Sequence, residues 1–126
     1  MRRILFFLML AFTCTTLHAQ NETDAVVKAF KSANIEEIAS HFNELVNLKL
    51  LEKDEVKNMS RNQASIALKS FYVENGIKGF DKISEGGRAS LLYLVGRLTN
   101  GNKGYNITIQ LKPRDGKLEI ITIRIS

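Results

Sequence analysis

The chain has 126 residues, 44% of them hydrophobic and 25% charged, a balance that excludes disorder and collagen-like repeats and suits one packed domain. Its 18 basic residues against 13 acidic ones give a net charge of +5. Beyond Arg2-Arg3 no two basic residues are adjacent, which argues for solvated surface and against a nucleic-acid stripe.

Arg2-Arg3 precede an apolar run from Ile4 to Ala11, and Leu17-His18-Ala19-Gln20 follows. A positive start, a short apolar middle and a small residue before the cut predict a secretory signal peptide over 1–19, cleaved after Ala19. The exported product is then a single domain, 20–126. The apolar run is well short of the ~20 residues that span a bilayer, so no stable membrane insertion is expected after cleavage. Lipidation at Cys14 is the weaker alternative, because Phe12 and Thr13 are larger than the residues a lipobox prefers. Cleavage removes Arg2 and Arg3 and lowers the net charge to +3, and it removes the only Cys, so the domain has to stand on packing without disulfides.

From Asn21 to Lys31, Ala25, Val26, Ala29 and Phe30 recur at helical spacing. A second helix is predicted from Asn34, where Asn34-x-x-Glu37 fits a capping box and Ile35, Ile38, Ala39 and Phe42 follow at i, i+3, i+4 and i+7. Val46, Leu48 and Leu50 then alternate with Leu45, Asn47, Lys49 and Leu51, which reads as a strand from Glu44 to Glu52, although Leu45, Leu48 and Leu51 also suit a helix. Asp54 to Asn58 reads as a polar loop. Ser60-x-x-Gln63 opens a third helix with Ala64, Ala67, Leu68 and Phe71 on its apolar side, and Asn75-Gly76 ends it. Ile77 to Ser84 is a less regular strand anchored by Phe80 and Ile83, with Glu85-Gly86-Gly87 as the turn after it.

The last third reads as three strands. Leu91 to Val95 runs without a polar break, and the turn at Asn100 to Gly104 leads into Tyr105, Ile107, Ile109 and Leu111, alternating with polar residues. Asp115-Gly116 is a strong hairpin signal, and Leu118 to Ile125 is rich in β-branched residues. Segregated helices and strands make the class α+β: three helices in the N-terminal half packed on a curved, mostly antiparallel sheet. Such a sheet roofed on one face encloses a cone whose wide end is the place for a ligand.

Asn34 to Phe42, Ser60-x-x-Gln63-Ala64 with Phe71, Leu94-Val95-Gly96-Arg97-Leu98-Thr99, Gly116-Lys117-Leu118 and Arg124-Ile125 are similar to the DUF4783 family of small secreted bacterial domains. The element order resembles the cone of nuclear transport factor two and its relatives, a cystatin-like fold. The resemblance spans about Thr23 to Ile125 and implies that fold and secretion. It carries no activity, since cone folds host lyases, isomerases, carriers and dimerisation modules alike.

The candidate lining of the cone is His41, Phe42, Phe71, Tyr93, Arg97, Tyr105 and Arg124. His41 is the only His left after cleavage and is a candidate general base, with Glu37 four residues earlier to orient it. Set against that, it lies at the edge of an apolar helix face, where a half-exposed structural His is the commoner case. The tyrosines read as pocket mouth or as ordinary core aromatics. Arg97 and Arg124 would offer a forked donor to an anion if they pointed inward, and are solvated charges if outward. No cofactor is called for, and Glu36-Glu37 and Asp54-Glu55 lack metal-ligand spacing. The expected function is therefore an exported, non-catalytic domain, periplasmic or extracellular, that binds a small apolar or amphipathic ligand or a partner protein in the cone. The alternatives are a small lyase or isomerase using His41 and a homodimer formed through the sheet.

Overall fold

The computed structural model describes residues 22–88 and 90–126. The expected signal segment, with Cys14 and the cut after Ala19, lies outside them. Helix α1 (22–32) and helix α2 (Ile35–Ala39) lead into strand β1 (Phe42–Leu50), strand β2 (Val56–Ser60) and helix α3 (Arg61–Asn75). Strands β3 (Gly79–Arg88), β4 (Leu91–Thr99), β5 (Gly104–Arg114) and β6 (Lys117–Ile125) complete the chain. The sheet order is β2-β1-β6-β5-β4-β3, antiparallel throughout except that β1 and β6 run parallel.

Alternation decides which side the helices cover. On β5, Tyr105, Ile107, Ile109 and Leu111 are buried while Asn106 and Lys112 are exposed. Their cross-strand partners Leu98, Ile125, Ile123, Leu94 and Ile120 are buried with them. Val26, Phe30, Ile38, Leu68 and Phe71 from the helices join this inner face in one core. Each side chain fully withdrawn from water contributes roughly 1.5–3 kcal/mol. Gly96 on β4 leaves the space that the Phe80 ring occupies, and Phe80 in turn packs at 5.5 Å on Phe30. A Cβ at Gly96 would collide with that ring.

The helix boundaries follow their caps. Asn34 Oδ1 accepts the Glu36 and Glu37 N–H groups at 3.0 and 3.4 Å, and Ser60 Oγ accepts that of Gln63 at 3.2 Å. Asn34's own N–H donates to Ser32 Oγ, whose proton lies toward the Ala29 carbonyl at 2.6 Å, so Ser32 takes the place of Glu37 in the return half of the expected box. Gly76 closes α3 with φ 61°, a left-handed cap that only glycine takes without steric cost. At the β5–β6 turn both Asp115 and Gly116 hold positive φ, 51° and 77°, the tight hairpin geometry the Asp-Gly pair predicts.

Four expectations are corrected. Phe42 is not on α2, which stops at Ala39; it opens β1 opposite Ile120, and His41 therefore sits in the turn between helix and strand. The loop expected at 54–58 is largely β2, an edge strand paired with β1 whose side chains are mostly exposed, so no apolar alternation announces it. Glu85-Gly86-Gly87 is not the turn: it continues β3, paired with Leu94, Tyr93 and Leu92. Ile83 anchors nothing, because the register slips between Lys82 and Ser84 and leaves it 62% exposed.

Candidate functional site

Most of the interior of the cone is solid. Phe30, Phe42, Ile38, Leu68, Leu94, Ile107 and Ile109 are fully buried there. Space remains at the wide end, where a cavity of about 870 Å³ opens between the last turns of α3, the start of β5 and the turn leaving β1. That volume falls in the range that holds one drug-sized molecule. Its walls are Leu50 and Leu51 on one side and Ala67 and Phe71 on another, with the Tyr105 ring below. The rim carries Glu52, Lys53, Glu74 and Lys103.

The polar groups inside this mouth are already bonded to one another. Tyr105 donates its hydroxyl to Asn75 Oδ1 at 3.1 Å, and Asn75 Nδ2 donates to the Phe71 carbonyl at 2.9 Å. The Asn75 carbonyl accepts Asn100 Nδ2 at 2.9 Å, which ties the end of α3 to the β4–β5 turn. The Tyr105 ring stands edge-on to Phe71 at 5.7 Å, and Lys103 Nζ lies 5.3 Å from its centroid. Leu51 holds φ 53°, a region unusual for a bulky residue, while its N–H donates to the Ile125 carbonyl at 2.8 Å. The turn thus keeps an apolar side chain at the opening at the cost of backbone strain.

Of the seven residues expected to line the cone, Phe71 and Tyr105 line this cavity. Phe42 is in the solid part of the core. His41 is half-buried at the junction of α2 and β1; its N–H donates to the Ile38 carbonyl and its carbonyl accepts from Ile120, both through backbone. Burial lowers its pKa from the ordinary 6.5, opposed by the carboxylates of Glu22 and Glu37. Tyr93 lies on the outer face of β4, 43% exposed, with its ring against Gly86. Arg97 is also on the outer face, its guanidinium laid across Gly104, where a Cβ would collide with it. Arg124 points outward and pairs with Glu55 at 3.1 Å, an exposed bridge worth about 0–1 kcal/mol.

Sequence reasoning missed Leu50, Leu51, Ala67, Asn75 and Lys103 as lining. The Asn75-Gly76 pair signals the helix stop, and nothing in that pattern separates this role from a place in the lining. Among the described residues no group of three His, Cys, Asp or Glu side chains could hold a metal ion, and no helix is long and apolar enough to cross a membrane.

A second groove of about 640 Å³ lies between the α1–α2 corner and the outer side of α3. Ile66 and Val73 border it, 64% and 74% exposed, with Tyr72 and Ile77 also in its lining. The Tyr72 hydroxyl is buried and has no hydrogen-bond partner among the described residues, and burial pushes its pKa up from 10.0.

A family model described as a domain of unknown function, DUF4783, matches residues 23–126. No curated protein matches the sequence. Among solved structures, a DUF4783 family protein from Bacteroides fragilis is 31% identical with TM-score 0.71, covering 80% of this chain and 93% of that one. One from Bacteroides ovatus is 25% identical with TM-score 0.71, covering 80% and 90%. A variant of a protein called Rd1NTF2_05, 15% identical, superposes with TM-score 0.67 over 85% of this chain and 99% of its own, a likeness of fold alone.

Proposed function

The chain belongs to the DUF4783 family, with a cone fold like that of nuclear transport factor two, and from that premise we propose that it is an exported domain that binds a small apolar or amphipathic molecule in the mouth of the cone. The observation that carries this reading is the opening itself. It is lined by Leu50, Leu51, Ala67 and Phe71, and its inner polar groups, Asn75 and Tyr105, are satisfied without a ligand. Apolar surface left unfilled beside a satisfied polar pair favours an occupant that contributes hydrocarbon and asks for few hydrogen bonds. Catalysis through His41 finds no support in this arrangement, because the imidazole does not line the cavity. A homodimer through the outer face draws support from Leu91 and Tyr93, both more than two-fifths exposed on β4, and sedimentation at high concentration tests it.

The test of the ligand reading uses the protein from Gln20 onward, a polarity-sensitive anilinonaphthalene dye and a series of aliphatic alcohols. Saturable dye binding is expected, with displacement by the longer alcohols. Ligand at about 100 times Kd adds about 2.7 kcal/mol, which raises the melting temperature on the order of 10 °C. Ala67→Trp, which places an indole in the mouth, is expected to abolish binding while the far-UV spectrum is retained. A folded protein that binds neither dye nor alcohol overturns the proposal.

A further inference from the structure

The charged groups of the mouth are unequal in one respect. Glu52, Lys53, Glu74 and Lys103 are all exposed at the rim. Only Lys103 is held against the lining, its ammonium resting over the Tyr105 ring at 5.3 Å. Glu52, Lys53 and Glu74 make no hydrogen bond or ion pair through their side chains among the described residues, so water and salt screen them. Deeper in, little polar capacity is left beyond the second N–H of the Asn75 amide. Asn75 has given its amide to the Phe71 carbonyl and its oxygen to the Tyr105 hydroxyl. A charged or strongly polar head pushed past the rim would lose its water and find too few partners to replace it.

We infer that the mouth takes single-chain amphiphiles tail first and that Lys103 selects those with an anionic head. A hydrocarbon tail laid over Tyr105 takes the surface on which the Lys103 ammonium rests. The displaced ammonium stays at the rim on its flexible stem, where a carboxylate, sulfate or phosphate head comes to lie. Occupation of the ring by the tail and capture of the head by Lys103 are therefore one event. This inference rests on the ligand-binding reading of the same cavity.

The experiment measures displacement of the anilinonaphthalene dye by dodecanoate and by dodecanol, both below their aggregation concentrations, at low and at high salt. Wild type is expected to prefer dodecanoate by roughly two- to fivefold, the range of an exposed charge pair, and the preference is expected to shrink at high salt. Lys103→Ala is expected to remove that preference while leaving dodecanol affinity equal or higher, since the Tyr105 ring is then uncovered. Lys103→Arg is expected to restore it. Displacement by both amphiphiles with a ratio that Lys103→Ala does not move overturns the role of Lys103 and leaves the cavity as a binding site. Displacement by dodecanol but not dodecanoate overturns the anionic selection alone, and failure of both amphiphiles to displace the dye overturns the binding reading together with this one.

Discussion

Tyr72 and Tyr105 both set their rings edge-on to Phe71, at 6.5 and 5.7 Å, and both are nearly buried. One hydroxyl is bonded to Asn75 and the other has no partner among the described residues. Tyr105 belongs to the mouth of the cone, where α3, the β4–β5 turn and β5 supply each other's polar partners. Tyr72 belongs to the helix-side groove, whose lining mixes Ile66, Val73 and Ile77 with Asn34, Glu36, Ser65 and Lys69, none of which reaches its hydroxyl among the described residues. The same residue type at similar depth thus stabilises one region and burdens the other. What separates them is whether a second element brings an acceptor.

The largest effect expected is at the ring both tyrosines share. Phe71→Ala removes the edge contact of each and opens the wall of the mouth, and is expected to cost about 3–5 kcal/mol in urea unfolding. A loss under 1 kcal/mol would mean that the two regions are not joined through this ring. Asn75→Ala separates them: it strips the Tyr105 hydroxyl and the Phe71 carbonyl of a partner, for about 1–3 kcal/mol. The main-chain carbonyl at 75 that accepts Asn100 Nδ2 is retained, so amides across 100–104 and around Ile35 and Ile77 are expected to keep their protection. The sharpest version is a pair of single-atom deletions with opposite signs. Tyr105→Phe is expected to cost about 0.5–1.5 kcal/mol, whereas Tyr72→Phe is expected to be neutral or stabilising. If both destabilise alike, Tyr72 has a partner after all.

The smallest expected effect is on pH. Burial raises the Tyr72 pKa above its ordinary 10.0. Above about pH 10 the unfolded chain has released a proton that the folded chain retains, so folding stability falls as pH rises there and is intact below it. Urea midpoints between pH 9 and 11 are expected to fall less steeply in Tyr72→Phe than in wild type. Equal slopes would place the Tyr72 hydroxyl in contact with water.

The fold was legible where side-chain chemistry and backbone geometry agree. Ser60-x-x-Gln63, Asn75-Gly76 and Asp115-Gly116 each mark a boundary because cap and turn need those residues. The alternation from Tyr105 to Leu111 fixes which face is covered. β2 was not legible, since Val56–Ser60 is made a strand by pairing with β1 and buries little of its own. Phe42 continued the apolar spacing of α2, but the backbone turned at Ser40 and His41 and carried it into β1. The site was half legible for a related reason. Strand period separates inner from outer residues, which singles out Tyr105, yet Arg97 and Arg124 keep to the outer face by the same parity. What remained hidden was how far the core fills the cone. That depends on Phe30, Phe42 and Ile38 meeting across the chain, and no local pattern records it.

The parallel pairing of β1 with β6 has a consequence for how this molecule comes into being. Strand β6 lies between β1 and β5, so the β1–β2 hairpin and the β3–β4–β5 meander belong to one sheet only after the final segment has been inserted. Until then, each fragment offers a bare edge to the other. A polypeptide stopped short of Lys117 is thus expected to remain open to protease along its whole length, and completion of the structure is expected to be a late, abrupt event rather than a gradual one.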